Sequence, residues 1–262
     1  MSLRNCRNVK VLEVSPVGQL ERPDEFFEIK LEYPDWDGWK PGQFVMIRPT
    51  SWELDLLWGR PFSISSVDEK KSLTLFIQKV GRGTSRIVSM KPGDEVAIWG
   101  PLGNSFAVEP DTPTLLLAGG IGIAPFRGYV ESHPKPENLK LFMAHRLPLE
   151  CYPFEAMTGK CCGECMIEEK PEDLHAIIAR LKELVKEYAE KDGLILCCGP
   201  TPFMKTVQQF ANECGARAQV SLENRMACGV GACLGCVTKD GDGHHVQVCT
   251  RGPVFWTDKV EL

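Results

Sequence analysis

At 262 residues the chain is long enough for about two domains of roughly 150 residues, and its 43% hydrophobic fraction can give each a core, which excludes a disordered chain. Its 30 Lys and Arg against 35 Asp and Glu leave a net charge of -5, so it has no general attraction for a phosphate backbone, and nucleic acid is not an expected partner. The conspicuous uncharged run, residues 112–126, is broken by glycines and falls short of the roughly 20 apolar residues that a membrane span needs, so no membrane association is expected. The first residues carry no apolar core of a secretory leader, which makes a cytoplasmic location the expectation. In that reducing compartment the 12 cysteines are poor disulfide candidates and better suited to metal binding or redox chemistry.

From residue 9 to 99 short extended segments alternate with turn signals. Strands are expected at 9–14, 26–31, 44–47, 61–64, 73–78 and 95–99, with turns at Pro41-Gly42 and Pro92-Gly93. Phe27, Ile29 and Leu31 alternate with Glu28, Lys30 and Glu32 at the two-residue period of a half-buried strand. Six short strands in about 100 residues suggest a small antiparallel barrel.

Beyond Pro113 strands alternate with helices. The apolar run 114–118 reads as a parallel strand buried on both faces, and 139–144 and 194–198 read alike. Between the last two, Ile177, Ile178, Leu181, Leu184, Val185 and Tyr188 share one helical face, while Lys182, Glu183, Lys186 and Glu187 cover the other. The stretch from about 219 to 262 has no long amphipathic helix and groups four cysteines. The expected architecture is therefore β plus α/β in three units: an antiparallel barrel (1–110), an α/β nucleotide-binding domain with a parallel sheet (111–218) and a small cysteine-bearing domain (219–262).

Cys228, Cys233, Cys236 and Cys249 follow the spacing C-x4-C-x2-C-x12-C, the plant-type 2Fe-2S pattern of three close cysteines and a distant fourth. Gly229, Gly231 and Gly235 would let the backbone wrap the cluster and turn N–H groups toward its sulfurs. A structural zinc site is the competing reading, although it more commonly shows two close cysteine pairs. His244 and His245, beside Asp240-Gly241-Asp242-Gly243, are expected in a solvated hairpin. Cys161, Cys162 and Cys165, with Cys151 upstream, form a second group that either ligates another metal or is a reduced loop.

Arg60-Pro61-Phe62-Ser63 precedes Gly81-Arg82-Gly83-Thr84 by about 20 residues. A guanidinium can grip a diphosphate bidentately while glycine lets backbone N–H groups approach the same oxygens. Gly119-Gly120-Ile121-Gly122-Ile123-Ala124-Pro125 directly follows an apolar strand, as a phosphate-binding strand-to-helix turn does, but lacks the last glycine of the dinucleotide fingerprint. Cys198-Gly199-Pro200 ends a later strand, at the edge where open α/β sheets bind ligands.

Taken in order, Arg60 to Ser63, Gly83-Thr84, Gly119 to Pro125, Cys198 to Pro200 and the terminal cysteines resemble the ferredoxin-reductase superfamily. Within it, Ser221 to Cys233 and Val248 to Phe255 resemble the electron-transfer subunits of heteromeric, NAD-dependent dihydroorotate dehydrogenases. The resemblance implies FAD held by Arg60, Pro61, Phe62, Ser63, Gly83 and Thr84, with Ile77, Gln78 and Lys79 along the flavin. It implies NAD(H) facing Gly119, Gly120, Gly122, Ala124, Pro125, Cys198, Gly199 and Pro200, and a 2Fe-2S cluster on Cys228, Cys233, Cys236 and Cys249. Phe62 stands where many members have tyrosine, and the segment from Arg146 to Asp173 is shorter than the family's strand-containing stretch.

The expected activity is that of an NAD(H)-linked oxidoreductase subunit, with no side chain as an obligate acid or base. Electrons would pass between NAD(H), FAD, the cluster and a catalytic dihydroorotate dehydrogenase subunit of pyrimidine biosynthesis, in a heterotetramer. Alternatives are an accessory flavin and iron–sulfur subunit of a ferredoxin:NADP oxidoreductase or sulfide dehydrogenase, and a non-enzymatic redox sensor or zinc-stabilised binding module. Arg146, just past an expected strand, is either a contact for an NADP 2′-phosphate or a surface charge.

Overall fold

The computed structural model describes residues 6–18, 26–69 and 71–262, so residues 1–5 and 19–25 of the expected first domain lie outside the described residues. The first sheet contains β1 (Cys6–Val17), β2 (Phe26–Glu32), β3 (Phe44–Pro49), β4 (Arg60–Ser63), β5 (Ser66–Asp68), β6 (Ser72–Gln78) and β7 (Glu95–Leu102), in the spatial order β4-β3-β7-β1-β2-β6-β5, every pair antiparallel. Six of the seven match expected strands. The seventh, β5, is three residues long and too short to show a period.

The two edge strands of this order are neighbours in the chain, separated by Ile64 and Ser65 alone. Ile64 N–H donates to Gln43 O beside β3 and Ser65 N–H donates to Thr74 O on β6, which curls the sheet into a barrel. Val9, Ile29, Leu31, Val45, Ile47, Leu73, Leu75, Ile77, Val96 and Ile98 alternate inward and form the barrel core. A short helix, α1 (Arg82–Val88), follows β6, so the expected glycine turn at 81–84 is a helix start. There Thr84 Oγ1 accepts the N–H groups of Val80 and Gly81 at 3.0 and 3.1 Å.

The second sheet is parallel in β8 (Thr114–Gly119), β9 (Leu139–His145), β10 (Cys162–Ile167), β11 (Leu194–Cys198) and β12 (Arg217–Ser221). The helices that go with it are α2 (Ala124–Ser132), α3 (Phe154–Thr158), α4 (Pro171–Glu190) and α5 (Thr201–Cys214). Strand order β10-β9-β8-β11-β12 places the reversal of winding between β8 and β11. Leu115 and Leu117 pack with Leu181, Leu184 and Val185 of α4, whereas Leu116 and Ala118 pack with Phe126 and Tyr129 of α2, so both faces are covered, as the unbroken apolar run requires.

The segment between Arg146 and Asp173 carries β10, which the sequence hid. As the sheet's edge strand, Cys162 to Ile167 has no buried residue and therefore no apolar signal.

The chain ends with β13 (Val237–Asp240), β14 (His245–Gln247), α6 (Val248–Arg251), β15 (Val254–Trp256) and β16 (Val260–Glu261). Strands β14-β13-β16 make a small third sheet, and the turn between β13 and β14 holds the expected exposed hairpin with His244. β15 instead pairs antiparallel with β12, and the expected boundary at 218/219 falls inside β12. The C-terminal segment thus belongs to two sheets.

It is also pinned to the barrel. Asn104 Nδ2 donates to Val254 O at 2.6 Å, Val254 N–H donates to Asn104 Oδ1 at 2.9 Å, and Asn104 N–H donates to Gly252 O at 2.7 Å. Outward-facing Phe44, Met46 and Leu102 of the barrel share a core with Cys236 and Cys249, while Phe26, Phe76 and Phe106 share another with Phe126 and Tyr129. Among the described residues no helix is long and apolar enough to cross a membrane.

Candidate functional site

A cavity of about 660 Å³ opens where the three units meet. Its barrel wall carries Arg60, Pro61, Phe62 and Ser63 of β4, Phe76, Ile77 and Gln78 of β6, and Thr84 of α1. Seven of the nine residues expected at FAD therefore line one space. Lys79 and Gly83 do not line it.

Gly83 acts through Arg60. A Cβ at Gly83 would sit 2.7 Å from Arg60 Nε and 3.1 Å from Nη2, so the missing side chain lets the guanidinium lie against the start of α1. Arg60 Nη1 donates to the carbonyls of Trp58 and Gly59 at 2.7 and 3.1 Å, and its Cζ lies 5.5 Å from the centre of the Trp52 ring. The cation is held before any ligand arrives, a suitable anchor for a diphosphate beside a cavity floored by Phe62, Phe76 and Ile77.

The opposite wall is Ser221 to Met226, with Ile121 and Ala124 at the α/β edge and Pro253 from the C-terminal segment. Ser221 to Met226 belong to the stretch that carries the family resemblance, and no motif in them marks a cavity wall. The signal is positional: Ser221 ends β12 and Leu222 to Met226 follow it at its carboxyl end, as Gly199 follows β11. Glu223 opens into the cavity, yet enough protein surrounds it that desolvation raises its carboxyl above the ordinary glutamate range. Burial, followed by the neighbouring charge of Glu223, also pushes the Cys198 thiol far above its usual value, so Cys198 stays neutral.

Of the residues expected at NAD(H), Ala124 lines the cavity, whereas Gly119, Gly120, Gly122, Pro125, Cys198, Gly199 and Pro200 do not. The structure gives their glycines a packing reason. A Cβ at Gly122 would lie 2.2 Å from Cys198 O, and one at Gly199 would lie 2.9 Å from Gly119 Cα, so the turns after β8 and β11 interlock backbone to backbone at the reversal of winding. Gly120 has φ +53, in the left-handed region. Pro125 sits in the first turn of α2, where its missing N–H has no helical partner to lose.

Cys228, Cys233 and Cys236 stand on the loop between β12 and β13 and Cys249 stands in α6, and Cys236 and Cys249 pack against Met46 and Leu102 of the barrel. Val230 N–H points at Cys228 Sγ (3.4 Å), Gly231 N–H at Cys249 Sγ (3.1 Å), Gly235 N–H at Cys233 Sγ (3.5 Å) and Cys249 N–H at Cys236 Sγ (3.4 Å). Burial raises the Cys228 thiol pKa, but the N–H groups of Val230, Cys233 and Ala232, with the Cys233 thiol, outweigh it and bring the value down to about 7. Burial and the neighbouring Cys236 thiol hold Cys249 up at about 12.

The Cys228 thiol interacts with that of Cys233, and the Cys249 thiol with those of Cys236 and Cys228. Among the described residues no three of the cysteine sulfurs lie within 4.8 Å of one another. One tetrahedral zinc would need its four sulfurs about 3.8 Å apart. Four sulfurs that do not close on one point, each met by a backbone N–H, suit a centre of two irons.

The second cysteine group does not converge. Cys151 and Cys161 are buried, Cys162 is exposed and Cys165 is half-buried on the edge strand β10. Burial raises the Cys161 thiol to about 11, and its Sγ–H donates to Met157 O. These are the properties of a protonated core thiol.

Residues 223–261 match the family model of the iron-sulfur cluster binding domain of dihydroorotate dehydrogenase B, and residues 6–119 match that of an FAD-binding domain. The chain is 35% identical over 243 residues to the dihydroorotate dehydrogenase B (NAD(+)) electron transfer subunit of Caldanaerobacter subterraneus subsp. tengcongensis, covering 90% of this chain and 92% of that one. It is 33% identical over 234 residues to the protein of the same name from Shouchella clausii, covering 85% and 87%.

Among solved structures, a chain of an NADH-dependent reduced ferredoxin-NADP oxidoreductase superposes with a TM-score of 0.80 at 21% identity, over 97% of this chain and 89% of that one. Ferredoxin-NADP+ reductase from Plasmodium falciparum superposes with a TM-score of 0.66 at 15% identity, over 81% and 91%. These are likenesses of fold. With two relatives above 30% identity along most of both chains, the protein belongs to the family of dihydroorotate dehydrogenase B electron transfer subunits.

Proposed function

We propose that the chain passes electrons between NAD(H) and a catalytic dihydroorotate dehydrogenase subunit, through FAD in the central cavity and a 2Fe-2S cluster on Cys228, Cys233, Cys236 and Cys249. Bound FAD supplies the conversion between the paired electrons of a nicotinamide and the single-electron steps of an iron–sulfur cluster. The residues of this chain bind, orient and insulate. Arg60, braced by two carbonyls and the Trp52 ring, would hold the diphosphate, while Pro61, Phe62, Ser63, Ile77 and Gln78 would lie along the flavin and exclude water from it.

Thr84 fixes the α1 start, and Gly83 leaves room for the guanidinium. The interlocked turns of Gly119, Gly120, Gly122, Ala124 and Pro125 with Cys198, Gly199 and Pro200 would carry the nicotinamide dinucleotide at the switch between β8 and β11. No side chain is assigned as an acid or base.

The observation that carries this reading is the single cavity walled by the barrel motif on one side and by the segment leading into the cysteine loop on the other. In this reading residues 1–110 form the FAD unit, 111–218 the nucleotide unit and 219–262 the cluster unit, with β15 returning to the second sheet. A reducing cytoplasm suits a chain of 12 cysteines, four of which would hold the cluster.

The ferredoxin:NADP oxidoreductase alternative rests on fold likeness at 21% identity, and the relatives at 35% and 33% favour the dihydroorotate partner. The test is anaerobic purification followed by mixing with a catalytic dihydroorotate dehydrogenase subunit. One FAD and two irons per chain, bleaching by NADH and a gain in dihydroorotate-dependent NAD+ reduction are expected. A colourless chain, or no gain on mixing, overturns the reading.

A further inference from the structure

Among the described residues that wall the central cavity, Arg60, Glu223 and Arg225 are the ionisable ones. Arg60 is engaged by the carbonyls of Trp58 and Gly59 and lies against the start of α1. Arg225, on the opposite wall, has no hydrogen bond or ion pair among the described residues. Glu223, two positions before it, does not answer its charge: desolvation raises the Glu223 carboxyl, and no cation acts to lower it. The cavity therefore holds one permanent cation that the fold itself leaves unmatched.

Arg225 belongs to the short stretch that runs from the cavity into the cysteine loop. On one side of it Asn224 lines the cavity and its Nδ2 donates to Cys236 O at 3.5 Å. On the other side Met226 lines the cavity and packs with the core that contains Cys236 and Cys249. Electrons crossing between the ring of a bound FAD and the cluster pass this wall, whereas the diphosphate belongs with Arg60. Phe44, Phe62, Phe76, Ile77 and Pro253 make much of the remaining wall, and a charge beside such apolar surface is screened less than in water.

Hydride transfer from NADH leaves NAD+ and adds one hydrogen with two electrons to the flavin ring, which turns a neutral ring into an anion. A fixed cation meets only dipoles in the oxidised ring and a full opposite charge in the reduced one. We propose that Arg225 contacts the ring of bound FAD and holds it more tightly reduced than oxidised, and so sets the flavin's reduction potential. This rests on the reading that FAD occupies the cavity. The division of labour is between the two arginines: Arg60 anchors the cofactor in either state, and Arg225 distinguishes the states.

The test is an anaerobic reductive titration of the holoprotein in the presence of mediators, with the flavin followed by its absorbance and the cluster by EPR. Arg225→Gln removes the charge and keeps a polar side chain. The outer side of Arg225 is exposed, so water screening limits the effect to about tenfold weaker binding of reduced relative to oxidised FAD. That ratio is a fall of about 30 mV in the two-electron potential. Affinity for oxidised FAD, read by fluorescence titration of the flavin-stripped protein, should change less than about threefold. Arg225→Lys keeps the charge and should return at least half of the shift.

An unmoved flavin potential in Arg225→Gln overturns the proposal, whether the cluster potential shifts or oxidised FAD is bound more weakly. So does a Lys variant that falls as far as the Gln variant, because charge would then not be the cause. Failure of the unsubstituted protein to bind FAD, scored first, instead overturns the flavin-site reading beneath it.

Discussion

The indole N–H of Trp99 donates to the backbone carbonyl of Cys228 at 2.9 Å, joining residues 129 positions apart. Trp99 is on β7 of the barrel and Cys228 is the first of the four C-terminal cysteines. The same ring crowds Gly59, the residue before Arg60, where a Cβ would lie 2.5 Å from it. One side chain therefore touches both the approach to the flavin motif and the cysteine loop. Met46 seals the contact, since a Cβ on Gly229 would lie 2.6 Å from its Cγ.

Trp99→Phe keeps an aromatic ring at this position of β7 and removes the donor. The half-buried carbonyl loses its partner, so a stability loss of about 1 kcal/mol is expected in urea melts. In the dithionite-reduced holoprotein the EPR lines of the cluster should shift or broaden, and iron should be lost faster to a chelator. An unchanged spectrum would show that Trp99 packs the loop without positioning it.

Gly83→Ala places a methyl group where the Arg60 guanidinium lies. FAD affinity should fall about tenfold, read by fluorescence titration, while the unfolding midpoint of the apoprotein moves little. Arg60→Lys should give a similar loss, because a point charge cannot reproduce the planar fork. Retention of full affinity in both would remove Arg60 from the diphosphate site.

Gly122 and Gly120 are two positions apart and should respond differently. Gly122→Ala drives a Cβ into the Cys198 carbonyl, a backbone clash that no rotamer relieves, and should cost about 2–3 kcal/mol. Gly120→Ala meets open space and bears only the left-handed φ of +53, at about 1 kcal/mol. Denaturant melts of the two variants should rank in that order. The reverse ranking would refute the interlocked-turn account.

Glu164 on β10 is bound by Arg180 of α4 at 2.6 and 2.9 Å and by Lys140 of β9 at 3.0 Å. The Arg180 hydrogen bonds, against burial and with help from Lys140, hold its carboxyl down at about 2, below the ordinary value of 4.5. A depressed carboxylate stabilises the fold above its unfolded pKa, and the contribution is lost as pH falls through the folded one. Glu164→Gln should therefore cost about 1 kcal/mol at pH 7. The difference from the unsubstituted protein should close between pH 4.5 and about 2 in thermal melts. A pH-independent difference would assign the loss to packing.

The cysteine spacing and the buried strands could be read from sequence because both are local. Cys228, Cys233 and Cys236 share one loop, and a strand covered on both faces, such as β8, must be apolar throughout. β10 escaped because an edge strand needs no buried face, and its Cys-Gly-Glu-Cys-Met-Ile carries no period. The cavity wall at Ser221 to Met226 and the return of β15 to β12 escaped because they come from contacts between distant segments, which leave no mark on spacing.

The order of motifs along the chain thus declared which groups are present: an arginine-led barrel strand, two glycine turns and four thiols. Packing established that the barrel strand and the segment after β12 face one cavity, that the glycines fit against one another, that backbone N–H groups meet all four sulfurs, and that Arg146 meets Glu168. The division has a physical cause. Residue type and spacing are properties of neighbours along the chain, whereas burial, ion pairing and cavity walls depend on which remote segments the sheets bring together.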